Sequence, residues 1–356
     1  ACVQPGDQIS IFGDALRELS EQSSYLYEAE GRYWFGSKPT LNKLAANRAG
    51  DIELAQIDSQ IIKALQEDER ARGHWAGVHT APFPPQDVED RPATRLVILG
   101  PDTPYAQGDA SPAYVAALDA VSRRAGGQRR FRNALVFLAA DERQLDEVRK
   151  TMRRALAWNG ISEDRALDLT QSQKQDAVSR AAEAMKAARQ ATRKAWSQLL
   201  SPEPSPEGGA SLMLERTGLR PTGQRSPAEA AWDKAQEADF VVSRLGKASL
   251  SDRLKQLWRD DQPHLEVDQV KDWFFEFPYM ERLRDDQVLA DAIADALVDL
   301  DDRNVFFGLA SGERDGKYTD LRLDQSAAVP FGTRQLLGQV VRFGTGQLLV
   351  RREVAE

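Results

Sequence analysis

The stretch LVFLAADE, residues 135–142, ends an apolar run in two adjacent carboxylates, Asp141 and Glu142. In P-loop ATPases such a pair does divided work. The aspartate holds the water shell of a magnesium ion, and a neighbouring acid positions the attacking water. The same residues also suit the start of a helix, with Asp141 as N-cap and Gln144 three residues on completing a capping box. Without a phosphate loop the capping role is the expectation. The one stretch that imitates such a loop, GERDGKY (312–318), puts three residues rather than four between Gly312 and Gly316, and Tyr318 rather than Ser or Thr follows Lys317. The lone Gly-x-Gly of GTGQLL carries no further donors. His74, His79 and His264 show no ligand spacing, and the single Cys2 cannot build a cysteine zinc site. The expectation is therefore a chain with no catalytic residues, no metal ligands and no cofactor of its own.

Phosphate recognition by basic side chains is the other chemistry the residues suggest. Arg32, Lys38, Lys43 and Arg48 lie in and after EGRYWFGSKPTLNKLAANRA (30–49), beside the consecutive aromatics Tyr33, Trp34 and Phe35. A second group, Lys186, Arg189, Arg193 and Lys194, lies on a long helical pattern further on. The whole chain is acidic, 47 Lys and Arg against 55 Asp and Glu. That excludes a protein that coats nucleic acid everywhere and leaves room for a local basic patch. The aromatics have two readings: packing beneath neighbouring helices, which is the expectation, or stacking on bases.

The elements that must position these residues follow from periodicity. Ile9, Phe12, Leu16 and Leu19 predict a helix over 8–24. SYLYEAEGRYWF predicts a β-hairpin with Gly31 in the turn, and Pro39 the first turn of a helix capped by Ser37 or Thr40. A helix over 51–72 places Leu54, Ile57, Ile61 and Leu65 on one face. GVHTAPF, TRLVILGP and NALVFLAA read as strands, the last two buried on both faces and joined through a helix as a parallel β-α-β unit. A helix over 142–159 is followed by a longer one over 172–200, which reads as a long helical hairpin or arm. The longer one carries a seam of Val178, Ala181, Met185, Ala188, Thr192, Ala195 and Leu199. SPEPSPEGG (201–209) reads as a linker or loop tip, and helix resumes from 226 toward Trp258. A helix with Val288, Leu289, Ile293 and Leu297 inward precedes a second hairpin with its tip at Gly312 to Gly316. Asp285, Asp286, Asp291, Asp295, Asp299, Asp301 and Asp302 would turn that helix away from phosphates. GQVVRF and QLLVRREV suggest a closing hairpin.

The fold expected is mixed α/β and helix-rich, with winged-helix-like units flanking a small α/β sheet region and a long helical arm. Its domains are a winged-helix-like helical domain over 1–72 and a small α/β domain over 73–160. A helical arm over 161–262, with a linker at 201–225, and a second winged-helix-like α+β domain over 263–356 complete it. No apolar run reaches the ~20 residues of a membrane helix. The opening ACVQPGDQIS lacks a basic n-region, an apolar h-region and an initiator Met, so the expectation is a piece of a longer protein without a signal peptide. One cysteine fits a reducing, cytoplasmic compartment.

Several blocks resemble a known family. DALRELSEQSSYLYEAEGRYWFGSKPTLNKLAANRA, TRLVILGP, RNALVFLAADERQLDEVRKTMRRALAW and PYMERLRDDQVLADAI…FFGLASGE are similar, in order, to the C-terminal part of an AAA+-like P-loop ATPase family. It is known as domain of unknown function four-nine-nine and occurs in phage-defence, restriction-modification-like loci. The closing LLVRREVAE resembles that family's end. The resemblance implies a parent ATPase whose ATP and magnesium site lies upstream of this segment, and a regulatory or DNA-engaging role for the segment itself. Its partners would be the upstream ATPase domain and DNA. The alternative is a protein–protein scaffold that binds partner subunits such as a DNA methyltransferase.

Overall fold

The computed structural model describes residues 13–16, 18–19, 23–29, 32–36, 39–108, 110–124, 126–206, 211–298, 306–322 and 341–355. Its principal elements begin with a hairpin, β1 (Leu26–Ala29) and β2 (Arg32–Phe35), and helices α1 (Leu41–Gly50) and α2 (Leu54–Glu67). Strands β3 (Gly77–Thr80) and β4 (Arg95–Ile98), helix α3 (Pro112–Ser122) and strand β5 (Leu135–Ala140) follow. Then come helices α4 (Glu142–Glu163) and α5 (Gln171–Ala195) and strands β6 (Trp196–Pro204) and β7 (Leu212–Gly218). The remainder is α6 (Pro227–Glu237), α7 (Lys247–Leu257), β8 (His264–Glu266), α8 (Val267–Glu276), α9 (Asp286–Val298), β9 (Phe307–Ala310), β10 (Gly312–Arg314), β11 (Lys317–Thr319) and β12 (Leu348–Arg351). The chain is thus mixed α/β and helix-rich. It divides into two compact units, one of residues 1–65 and 143–195, the other of 66–142 and 196–356.

The first unit is built from α1, α2, α4 and α5 with the β1–β2 hairpin. The hairpin is antiparallel and pairs Leu26 with Phe35 and Ala29 with Arg32. Thr40 is the N-cap of α1, its hydroxyl accepting from the Lys43 amide at 3.3 Å, and it also donates to the Ser23 carbonyl at 3.3 Å. That pair of bonds ties the hairpin's entry to the helix. Along α2, Ile57, Ile61 and Leu65 are buried at helical spacing, and Leu54 is exposed. Arg149 of α4 clasps Asp58 of α2 through two bonds of 2.8 and 2.9 Å. Trp158 and Ile161 of α4 pack with Ala45 of α1 and with Ala177 and Ala181 of α5. Small residues dominate the α5 seam, which lets its partners approach closely. That seam is Ala177, Ala181, Ala188, Thr192 and Ala195, so Ala177 replaces the expected Val178, which is exposed.

The second unit contains a five-stranded sheet in the order β3-β4-β5-β6-β7. β3, β4 and β5 are parallel, and β6 and β7 are antiparallel to their neighbours. The β4-α3-β5 crossover is the parallel unit the apolar runs predicted. All side chains of β4 and β5 are buried, as strands covered on both faces require. On one face Val97, Leu99, Phe137, Ala139 and Leu200 pack against Ala113, Ala117, Ala120 and Val121 of α3.

Two expectations fail here. The helix expected to reach 200 stops at Ala195, because Trp196, Leu199 and Leu200 are fully buried in strand β6. Residues 201–204 and 212–218 pair in the sheet rather than forming a linker, with Ser201 opposite Glu215 and Pro204 opposite Leu212. The expectation of a linker came from Pro202 and Pro204, since Pro is depleted inside sheets.

Beyond β7, the helix expected over 226–258 is two helices, α6 and α7, parted by a turn in which Asp239 takes a positive φ of 56°. A large apolar core gathers Leu250 and Leu254 of α7, Phe274 and Phe275 of α8, and Leu289, Ile293 and Leu297 of α9 around a three-stranded antiparallel sheet, β8-β12-β9. The β12 residues form the central strand of that sheet instead of a hairpin with GQVVRF, whose described part, 341–343, is not strand.

Arg282 and Asn133 join the larger sheet to this helical region. Arg282 is wholly buried. It donates to the Asn133 carbonyl at 2.7 Å, Asn133 Oδ1 at 2.6 Å, Ser201 Oγ at 2.8 Å, the Phe240 carbonyl at 2.6 Å and the Pro202 carbonyl at 3.2 Å. Desolvation lowers its pKa to about 10, so it remains charged at neutral pH. Asn133 Nδ2 in turn donates to the Phe274 and Met280 carbonyls at 2.8 and 3.0 Å.

Candidate nucleic-acid interface

Every basic residue singled out from the sequence for phosphate recognition falls in the first unit. Residues 143–195 carry twelve Lys and Arg against seven Asp and Glu, a net charge of +5. The first unit as a whole carries 18 against 16, a net of +2, and the second unit 29 against 39, a net of −10. The chain's acidity is therefore segregated, and the arm is where phosphates would be attracted.

Helix periodicity organises the basic residues. On α5, Lys186, Arg189 and Arg193 follow one another at steps of three and four, on the side away from the buried Ala181, Ala188 and Ala195. Lys186, Arg189 and Lys194 are exposed and Arg193 is half-buried. Sequence reasoning missed a matching set on α4. Arg143, Lys150, Arg153 and Arg154 are exposed, opposite the buried Leu145, Val148 and Met152. The signal was present as the polar half of an amphipathic pattern whose apolar half drew the attention.

The first group is less uniform. Arg32 and Lys43 are exposed. Arg48 is engaged with Asp164 at 2.6 Å, a hydrogen bond that holds the Asp164 carboxyl below its ordinary range. Its side chain also lies on Gly160, where an added Cβ would meet Arg48 Cδ and Nη1 at 3.0 Å. Arg48 thus fastens α1 to the end of α4. Lys38 lies outside the described residues, as do Ile9, Phe12, Asp299, Asp301 and Asp302.

The aromatic run does not pack as expected. Trp34 is 48% exposed and Phe35 79%, with Tyr33 half-buried. A two-stranded ribbon has no second layer of its own, so alternation cannot bury both of its faces.

The carboxyl ends of the parallel strands are where ligands bind in open α/β sheets. Here the Tyr105 amide donates to the Ala140 carbonyl at 2.8 Å, and its carbonyl accepts from the Glu142 amide at 3.1 Å. Asp141 Oδ2 accepts from Gln198 Nε2 at 3.1 Å, and Gln198 Oε1 accepts from Arg216 at 2.8 Å. In the loop after β4 the Asp102 carboxylate folds over Gly100. A Cβ added at Gly100 would meet Asp102 Oδ1 at 2.5 Å. Among the described residues no group of three or more His, Cys, Asp or Glu is placed to hold a metal ion, and no helix is long and apolar enough to cross a membrane.

His79 lies on β3, the edge strand of this sheet. Burial and the Arg95 charge hold its pKa below the ordinary value, which keeps the ring neutral at pH 7. Comparison of the chain with protein-family models, curated proteins and solved structures finds no match.

Proposed function

We propose that this chain is a non-catalytic segment of a phage-defence AAA+-like ATPase, cytoplasmic, and that it engages DNA through its first unit. The observation that carries this reading is the charge segregation: a +5 helical arm with an exposed basic face, in a chain of net −8. In this reading the β1–β2 hairpin serves as the wing of a winged-helix-like unit, and the β10–β11 hairpin is its counterpart in the second unit. ATP and magnesium belong to the upstream part of the parent. The family assignment rests on the sequence resemblance alone.

The test is reversal of arm charge. Lys186→Glu with Arg189→Glu and Arg193→Glu is expected to weaken duplex DNA binding, measured by fluorescence anisotropy at several salt concentrations. Every phosphate that the protein ceases to neutralise lowers the slope of log K against log salt by about 0.9, so three of them flatten it by about 2.7. Arg314→Glu with Lys317→Glu, exposed residues of the second unit's hairpin, is expected to change neither quantity. The opposite ranking would move the interface to that hairpin.

A second reading is supported by the −10 charge of the second unit and by Asp285, Asp286, Asp291 and Asp295 at α9. Such a surface suits a protein partner, for example a DNA methyltransferase subunit. Absence of DNA binding at low salt, together with capture of that subunit, would favour it.

The segment is also expected not to bind ATP, since its sequence carries no phosphate loop and Asp141 is engaged by Gln198. Calorimetry should show no heat of ATP binding. Micromolar affinity that disappears in Asp141→Ala would establish a nucleotide site at the strand ends instead.

A further inference from the structure

Helices α4 and α5 are joined by the short stretch 164–170, and Trp158 and Ile161 of one pack with Ala177 and Ala181 of the other. Helices connected in this way run antiparallel, so the first half of α4 lies beside the second half of α5. Charge is sorted along that axis. Residues 143–154 and 182–195 carry nine Lys and Arg against three Asp and Glu, a net of +6, whereas 155–181 carry three against four, a net of −1. The acids of the 164–170 end are partly neutralised within the protein, Asp164 by Arg48 and Asp176 by Arg180. Burial divides α4 at the same place. From Ala155 to Ser162 no residue is exposed, and α1 covers that stretch, with Ala45 packed on Trp158 and Arg48 lying on Gly160. In the other half, five cations are exposed and have no ion-pair partner among the described residues. They are Lys150, Arg153 and Arg154 on α4 and Lys186 and Lys194 on α5.

We infer that these five side chains form one binding site for the sugar–phosphate backbone of duplex DNA, to which α4 contributes as much as α5, and that the 164–170 end of the arm stays off the DNA. A cation already paired within the protein must give up that partner before it can neutralise a phosphate, and these five have none to give up. Each phosphate they neutralise releases condensed counterions from the duplex. Lys186 and Lys194 lie about 12 Å apart along α5, a length over which duplex presents about seven phosphate charges. Phosphates are therefore dense enough to meet every one of the five. Contacts of this kind position a duplex without reading its sequence. This assignment rests on the DNA-engaging reading above and extends its site from one helix to two.

The experiment uses the full chain and a fluorescein-labelled mixed-sequence duplex, read by anisotropy at several salt concentrations. Three double variants carry the same change of charge at exposed positions: Lys150→Glu with Arg154→Glu on α4, Lys186→Glu with Lys194→Glu on α5, and Arg165→Glu with Lys174→Glu at the 164–170 end. The first two are each expected to flatten log K against log salt by about 1.8, two contacts at about 0.9 apiece, which at about 0.1 M salt is roughly 60-fold weaker binding. The third is expected to change neither slope nor affinity. Lys150→Gln with Arg154→Gln removes the α4 contacts without adding repulsion, and should flatten the slope equally even if the Glu pair disturbs the helix. An unchanged slope in both α4 variants, with loss in the α5 pair, would overturn the two-helix site and leave DNA binding by α5 standing. Equal losses in all three Glu pairs would overturn it too, since binding would then follow net charge alone. Absence of duplex binding by the wild type at low salt would overturn both the site and the reading on which it rests.

Discussion

Arg282→Met is expected to destabilise the second unit by about 3–5 kcal/mol, the cost of removing one partner from a buried charged network. The side chain is replaced by one of similar length, so the effect is not that of a cavity. It comes from five acceptors, on Asn133, Ser201, Phe240 and Pro202, that lose their donors while remaining buried. Each unsatisfied group costs ~1–3 kcal/mol, and partial rearrangement keeps the total below the sum. Arg282→Lys retains the charge but offers three donors from one point rather than a planar fork of five. It should fall between the wild type and Met. Thermal unfolding followed by circular dichroism measures both. For a unit of this size a loss of ~4 kcal/mol lowers Tm by roughly 8–16 °C. A change of less than about 1 kcal/mol for Met would show that the network stabilises no more than a well-packed apolar side chain would, an outcome known for some buried ion pairs.

Trp158→Ala is expected to unfold the first unit selectively. Trp158 is the largest side chain in a core otherwise built from Ala45, Ile161, Ala177 and Ala181. The Arg180 guanidinium lies 5.1 Å from its ring centroid and donates onward to Asn42 at 2.8 Å, so the indole also organises the polar rim where α5 meets α1. Truncating a buried Trp to Ala costs ~3–5 kcal/mol. Hydrogen exchange should rise in peptides from 41–65 and 143–195, and peptides from β4, β5 and β6 should keep their protection. The basic face of α5 would be lost with the helix, so duplex binding should fall together with that protection. A uniform loss of protection across both units would show that they unfold as one.

What the sequence made legible was whatever local periodicity controls. The β4-α3-β5 unit, the inward face of α9 at Val288, Leu289, Ile293 and Leu297, and the β10–β11 tip all follow from spacing and turn chemistry. Long-range partners were hidden. The strand at 196–204 reads as helix and linker because Ser197, Gln198 and the prolines look like surface. Only its place between β5 and β7 buries it. Trp34 and Phe35 are expected inside because large aromatics usually are. Whether a ribbon is covered depends on a second layer that no local pattern encodes. For the candidate interface, the positions of the basic residues were legible, and α5's polar side was too. That Arg48 is taken up by Asp164, 116 positions away, was not.

The first unit is assembled from two stretches of chain with the β3–β5 segment between them, and this has a consequence in time. Ala45 of α1 meets its core partners Ala177 and Ala181 only after roughly 130 further residues have been made. At ~5–20 residues per second, synthesis leaves Ala45 waiting about 7–26 seconds for those partners. The interval is far longer than the microseconds in which a helix forms. The early helices must therefore persist on the ribosome as an unfinished half-core. A pause placed before α5 would lengthen their exposure to chaperones and proteases, and one placed after Ala195 would not.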